Sequence, residues 1–133
     1  MLTKVIRVDT LGVAGSAVGS VTVGVPPCKL EGIQVQYDGA MPGSTVVMVT
    51  KCLAGLEQVV LTLDATNSDV PLTALAEHML DDDGSVLPIV VPPRLNGELR
   101  VDVTDGDEMP DAVIITLLLG PGDWVGVVPE PPA

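Results

Sequence analysis

The sequence predicts an all-β domain: a β-sandwich of jelly-roll type with about eight short strands, one short helical insertion and an extended C-terminal arm. Three observations lead there. The apolar share is 47%, yet the chain has one Trp, one Tyr and no Phe, so that share is carried by Val, Leu, Ile and Ala. Side chains branched at Cβ are stiff at χ1 and pack well on a pleated surface. Apolar and polar residues alternate with a period of two in several segments, the pattern of a strand with one covered face. Between those segments the 14 Gly and 12 Pro fall with Asp in turn-forming clusters.

The elements follow in order. In the opening strand Val5, Arg7 and Asp9 alternate with Lys4, Ile6 and Val8, and the segment from Leu11 to Gly19, rich in Gly, Ala and Ser, is a turn or loop. Val21, Val23 and Val25 alternate with Ser20, Thr22 and Gly24 in a second strand that Pro26 and Pro27 are expected to end, since proline donates nothing to a ladder. Ile33, Val35 and Tyr37 alternate with Gln34, Gln36 and Asp38 in the clearest half-buried strand. Thr45 to Cys52 is almost unbroken apolar sequence and suits a central strand covered on both faces.

Gly55 turns the chain into a strand from Gln58 to Leu63, and Asp64 to Pro71 reads as loop. Leu72 to Leu80 has the composition for two turns of helix, closed by Asp81, Asp82, Asp83 and Gly84. Val86 to Val91 is a short strand at a sheet edge, broken by Pro88 and ended by Pro92 and Pro93. Leu99, Val101 and Val103 alternate with Glu98, Arg100 and Asp102, and an acidic loop from Thr104 to Asp111 leads to the apolar run Ala112 to Leu119. These last two strands are expected to pair as a hairpin. The division is residues 1–120 as the domain and 121–133 as a Pro-rich arm.

The formal net charge of -12 would repel a polyanion, which argues against a direct nucleic-acid partner. No segment approaches the roughly 20 continuous apolar residues of a spanning helix, so no membrane partner is expected. Charges at Lys4, Arg7 and Asp9 interrupt the first apolar run before it forms a signal-peptide core, so the chain is expected to be made in the cytoplasm without one. So apolar a chain of this size has surface left over for another subunit to cover.

The residues that carry chemistry are sparse. His78 is the one histidine, which excludes multi-histidine metal centres and leaves a single imidazole base, with no Ser or Cys beside it in sequence. No nucleophile elbow, phosphate loop or zinc spacing is present. No catalytic, cofactor-binding or metal residue is assigned, and the chain is read as not being an enzyme. Cys28 and Cys52 lack metal-ligand spacing and read as reduced core thiols, with a disulfide between them as the alternative. The acidic groups Asp81–Asp83 and Asp105, Asp107, Glu108 and Asp111 do not follow EF-hand spacing and read as solvated turns, with weak calcium binding as a side possibility. In the arm, Trp124 with Val125, Val127, Val128 and Pro129 exposes apolar area that a free tail cannot bury. It either folds back with Trp124 plugging one end of the core, contacts a neighbouring subunit or partner, or docks as a Pro-rich segment in an aromatic groove.

The order of pieces resembles the capsid decoration proteins (cement, or head-stabilising, proteins) of tailed bacteriophages. The segments that carry the resemblance are Val5 to Asp9, Leu30 to Asp38, Val59 to Leu63, and Gly97 to Val103 followed by Ala112 to Leu119, within residues 4–119. The resemblance is one of strand layout and transfers no functional residue. It implies a structural virion protein that binds the outside of an assembled capsid, contacts the major capsid protein and forms a homo-oligomer, a trimer being favoured. The alternatives are an adhesion or receptor-binding module of a head fibre or tail accessory, which would be expected to carry aromatics, or a small jelly-roll enzyme, which would need a metal or an acid–base pair.

Overall fold

The computed structural model describes residues 2–53, 55–80 and 82–121. Nine strands and no helix occur among them: β1 (Leu2–Thr10), β2 (Ala17–Tyr37), β3 (Val46–Leu53), β4 (Leu56–Leu63), β5 (Val70–Thr73), β6 (Glu77–Leu80), β7 (Val86–Val91), β8 (Arg94–Gly106) and β9 (Met109–Pro121). Seven belong to one antiparallel sheet in the order β1-β9-β2-β8-β3-β4, with β5 added to β2, and β6 and β7 form a separate two-stranded ribbon.

Strand β2 organises the sheet, because its 21 residues serve two different ladders. Its first part, from Ala17 to Lys29, pairs with β8, and its second part, from Cys28 to Tyr37, pairs with β9. The change of partner falls at Pro26 and Pro27, where the β8 register shifts between Val25 and Cys28. The sequence reading ended a strand here; instead the two expected strands are one. Both prolines are exposed and sit in the interruption of the β2–β8 ladder between Val25 and Cys28, where a missing N–H costs little and proline's fixed φ is compatible with extended backbone.

The expected β8–β9 hairpin is also corrected. The two are consecutive, but β9 pairs with β1 and β2 whereas β8 pairs with β2 and β3, so the chain crosses from one half of the sheet to the other between Gly106 and Met109. At that corner β1 also reaches β2 directly: Leu11 and Val18 exchange backbone hydrogen bonds of 2.9 and 3.0 Å.

The helix expected over Leu72 to Leu80 is absent. Its residues lie in β5, a short connection and β6. A helix of two turns does not hold itself together in water. The free edge of β2 meanwhile offers a ladder, with Thr73 opposite Ile33 and Val70 opposite Val35. Strand β7 pairs with β6 alone and is an edge as expected. Strand β3 lies between β8 and the edge strand β4; Val47 and Val49 are buried, while Val46 and Met48 on its other face are only partly covered.

Period-two alternation sends Ile6, Val8, Ile33, Val35, Ile115 and Leu117 from one half of the sheet, and Val47, Val49, Leu99, Val101 and Val103 from the other, into a single core. Tyr37 sits at its rim. Its ring is buried, and its hydroxyl has no hydrogen-bond partner among the described residues. Burial, with a smaller contribution from the Asp69 charge, pushes the phenol up to about 12. A raised pKa means that the folded state holds the proton more tightly: the contribution is complete below the unfolded value near 10 and is lost as pH rises from there through about 12. Tyr37→Phe is expected to raise stability at neutral pH by about 1 kcal/mol, because it removes a buried unpaired hydroxyl. Urea unfolding at pH 7 and above pH 10 checks this, and the variant should show a flatter alkaline limb.

Candidate functional site

Residues opposite one another on neighbouring strands point to the same side of the sheet, so the register defines two outer faces. On the β2–β8–β3 half the outward rungs are Ser20·Asp102·Met48, Thr22·Arg100·Thr50 and Gly24·Glu98·Cys52. This face is charged and internally paired. The Arg100 guanidinium grips the Glu57 carboxylate with two hydrogen bonds of 2.8 and 3.1 Å, and its Nε donates to Asp102 at 2.9 Å. Ser20 donates to the other oxygen of Asp102 at 2.8 Å. The pairing holds Glu57 below its ordinary value and Arg100 above its own. Glu57 and Ser20 are exposed and Arg100 and Asp102 partly so, and such a network sets the polarity of a face more than it adds stability.

On the β1–β9–β2 half the outward rungs are Thr3·Leu118·Gly32, Val5·Thr116·Gln34 and Arg7·Ile114·Gln36. One charge stands among these nine residues. Arg7 lies at the end of the face, 3.4 Å from Asp111. Val5 is 50% exposed, and Ile114, Thr116 and Leu118 are partly so. On a chain of net charge -12, three consecutive rungs of Thr, Val, Leu, Ile, Gln and Gly with the single charge of Arg7 at one end mark a surface poor in charge.

A third feature is a half-open groove of about 390 Å³ beside the β3–β4 turn, lined by Leu53, Leu56 and Leu95 together with Lys51, Arg94, Glu57, Gln58 and Asn96. Leu53 and Leu56 face one another across the turn. The left-handed Gly55, at φ 84°, reverses the chain there. Lys51 bridges to Glu77 on β6 at 2.8 Å, and Gln58 donates to the other Glu77 oxygen at 3.2 Å, tying the β6–β7 ribbon to this end of the sheet.

The residues singled out in sequence fall as follows. Cys28 and Cys52 are unpaired thiols, the first buried and the second half-covered; burial pushes the Cys28 thiol up, away from the reactive thiolate. Of the second acidic group, Asp107 accepts from the Gly15 backbone N–H at 2.8 Å and Glu108 from that of Gly12 at 3.1 Å. Nearby, the Asp111 N–H donates to Asp9 at 2.8 Å. These carboxylates fasten the β1–β2 turn against the β8–β9 corner. Among the described residues no group of three or more His, Cys, Asp or Glu side chains is placed to hold a metal ion. His78 is on β6, and its side chain lies outside the described residues, as do Asp81 and the arm residues Trp124, Val125, Val127, Val128 and Pro129.

No protein-family model matches this chain, and no curated protein matches it either.

Sequence reading passed over both the charge-poor face and the groove. The first had a signal in the run Ala112 to Leu119, where Ile114 and Leu118 are apolar although Ile115 and Leu117 already fill the core. The second had one in Leu53 and Leu56 flanking a glycine turn, since hairpin tips are ordinarily polar.

Proposed function

We propose that this chain is a structural virion protein that binds the outside of an assembled bacteriophage capsid as a homo-oligomer, a trimer being favoured, and stabilises contacts between capsid subunits. In this reading its seven-stranded sheet closes on itself as a β-sandwich, with the two outer faces on opposite sides. The observation that carries the proposal is the contrast between those faces. Copies of the chain pack through Val5, Ile114, Thr116, Leu118, Gln34 and Gln36, where desolvation costs little because one charge stands among three rungs. The Arg100–Glu57–Asp102 face stays in water and, with the acidic surplus, keeps assemblies apart. The partner is assigned through the resemblance in strand layout to decoration proteins. Each copy then needs only modest affinity for the major capsid protein, because an oligomer engages the lattice at several points at once.

The experiment is co-sedimentation with empty shells assembled from the major capsid protein encoded nearest to this chain's gene. The wild-type chain is expected to pellet with shells at a fixed ratio per capsid subunit. The double variant Val5→Lys with Gln34→Lys is expected to pellet at least tenfold less at the same concentration, having lost the multivalent attachment. Wild-type protein that stays in the supernatant at every shell concentration would overturn the capsid assignment.

A further inference from the structure

The large sheet ends in two open edges. Among the described residues, β1 pairs over residues 2–8 with β9 alone and β4 pairs with β3 alone, so each offers a row of backbone N–H and C=O groups to an added strand. We propose that these edges meet between copies: β4 of one copy adds antiparallel to β1 of the next, with Val59 opposite Val5 and Glu57 opposite Arg7. The assignment rests on the homo-oligomer reading and deepens it, by naming the surface that β1, the edge of the charge-poor face, meets on a neighbouring copy. Charge selects this pairing. The charged side chains in residues 2–8 are Lys4 and Arg7, and the one charged residue of β4 is Glu57. Two β1 edges would set four cations side by side and two β4 edges two carboxylates, whereas β1 against β4 brings opposite charges together. Arg7 is held only by its 3.4 Å contact with Asp111, between side chains 59% and 49% exposed, a weak pair in water. The Glu57 carboxylate already takes Arg100 and has lone pairs left for a second guanidinium.

Side-chain direction agrees with that register. Val5 and Arg7 lie on outward rungs with Thr116 and Ile114. Glu57 and Val59 stand opposite Cys52 and Thr50, whose partners on β8, Glu98 and Arg100, also point outward. An antiparallel ladder with Val59 on Val5 therefore puts Glu57 on Arg7 on the same side of the sheet, and Leu56 on Val8 on the other. Val5 is 50%, Val59 48% and Leu56 74% exposed, so the ladder covers apolar area that both edges leave open. It stops at Val60, which has no partner on β3 between Val59 and Leu61 and marks a bulge in β4. Before that bulge β4 carries none of the Lys, Pro or Gly with which an edge strand ordinarily turns partners away. Because the two edges differ, the contact is heterologous and closes as a ring, of three copies in a trimer.

Thiol crosslinking tests the register. Cys52 stands opposite Glu57, so the cysteine variants are made in Cys52→Ser, while Cys28 is buried and out of reach. A short bismaleimide is added to Val5→Cys, to Val59→Cys and to the chain carrying both. The double variant is expected to run on a denaturing gel as covalent oligomers and each single variant as monomer, with all three keeping the wild-type mass by light scattering. Val59→Lys is expected to fall to the monomer mass with its thermal midpoint within a few degrees, since an edge strand tolerates lysine. Leu72→Lys, exposed on β5, should keep the wild-type mass. With the wild type oligomeric, three results would each overturn the β4 assignment and leave the homo-oligomer reading standing: a double variant that does not crosslink, crosslinking of Val5→Cys by itself, or a Val59→Lys chain of wild-type mass. A monomeric wild type would overturn both.

Discussion

Leu99→Ala is expected to lower the free energy of unfolding by about 3–4 kcal/mol, through lost burial and the cavity left behind. Leu99 is fully buried on β8, opposite Val23 of β2 on one side and Lys51 of β3 on the other. Neighbours on both sides belong to a continuous sheet and cannot collapse into the gap without breaking register. Against a total of roughly 5–15 kcal/mol for a domain, that is a large share, and the thermal midpoint should fall by roughly 10 °C. Leu72→Ala supplies the contrast. Leu72 is 55% exposed on β5, and its truncation should cost about 1 kcal/mol or less. Urea and thermal unfolding of the two variants check the assignment, and equal losses would mean that β8 does not present Leu99 to the core.

Gly19→Ala is the second large effect. A Cβ on Gly19 would run into the carbonyl oxygen of Asp9 and the side chain of Val8. The main obstacle is backbone, so no rotamer change relieves it. Strand β1 would have to lift away from β2 and strain the Leu11–Val18 bridge and the contacts of Asp107 and Glu108 with the turn glycines. We expect a cost of about 3 kcal/mol, at the upper end for overpacking. At Gly24, in the same strand, the nearest atom to an added Cβ is the carbonyl oxygen of Gly97 at 3.9 Å. Gly24→Ala should therefore stabilise by about 0.5 kcal/mol, by restricting the unfolded chain. Opposite signs for two Gly-to-Ala changes five residues apart would fix where β1 crosses β2; equal effects would contradict the crossing.

These two cases mark how far the sequence could be read. That the chain is all-β was legible because alternation at Val21 to Val25, Ile33 to Tyr37 and Leu99 to Val103 is a local signal, and each of those runs is strand. Connectivity was less so. Pro26 and Pro27 read locally as a stop, and only the β8 ladder that resumes beyond them, joined there by the β9 ladder, explains why β2 continues. The same holds for β8 and β9: adjacency in sequence suggested a hairpin, but both are complementary to β2, which is long enough to take each along a different half. Leu72 to Leu80 failed for another reason. Its helical composition is a weak preference, and an open β2 edge overrode it. The outer face built on Val5, Thr116 and Gln34 needed two registers at once, neither of which alternation alone supplies.

The central claim is that copies of this chain meet through the charge-poor face of β1, β9 and β2. Light scattering behind size exclusion, on the wild-type chain and on Val5→Lys with Gln34→Lys, tests it most directly. Both positions lie on the middle rung, one on an edge strand where lysine is well tolerated. The account predicts an oligomer for the wild type, a trimer being favoured, and a monomer for the variant with its thermal midpoint within a few degrees. A monomeric wild type, or a variant that keeps the wild-type mass, would contradict it.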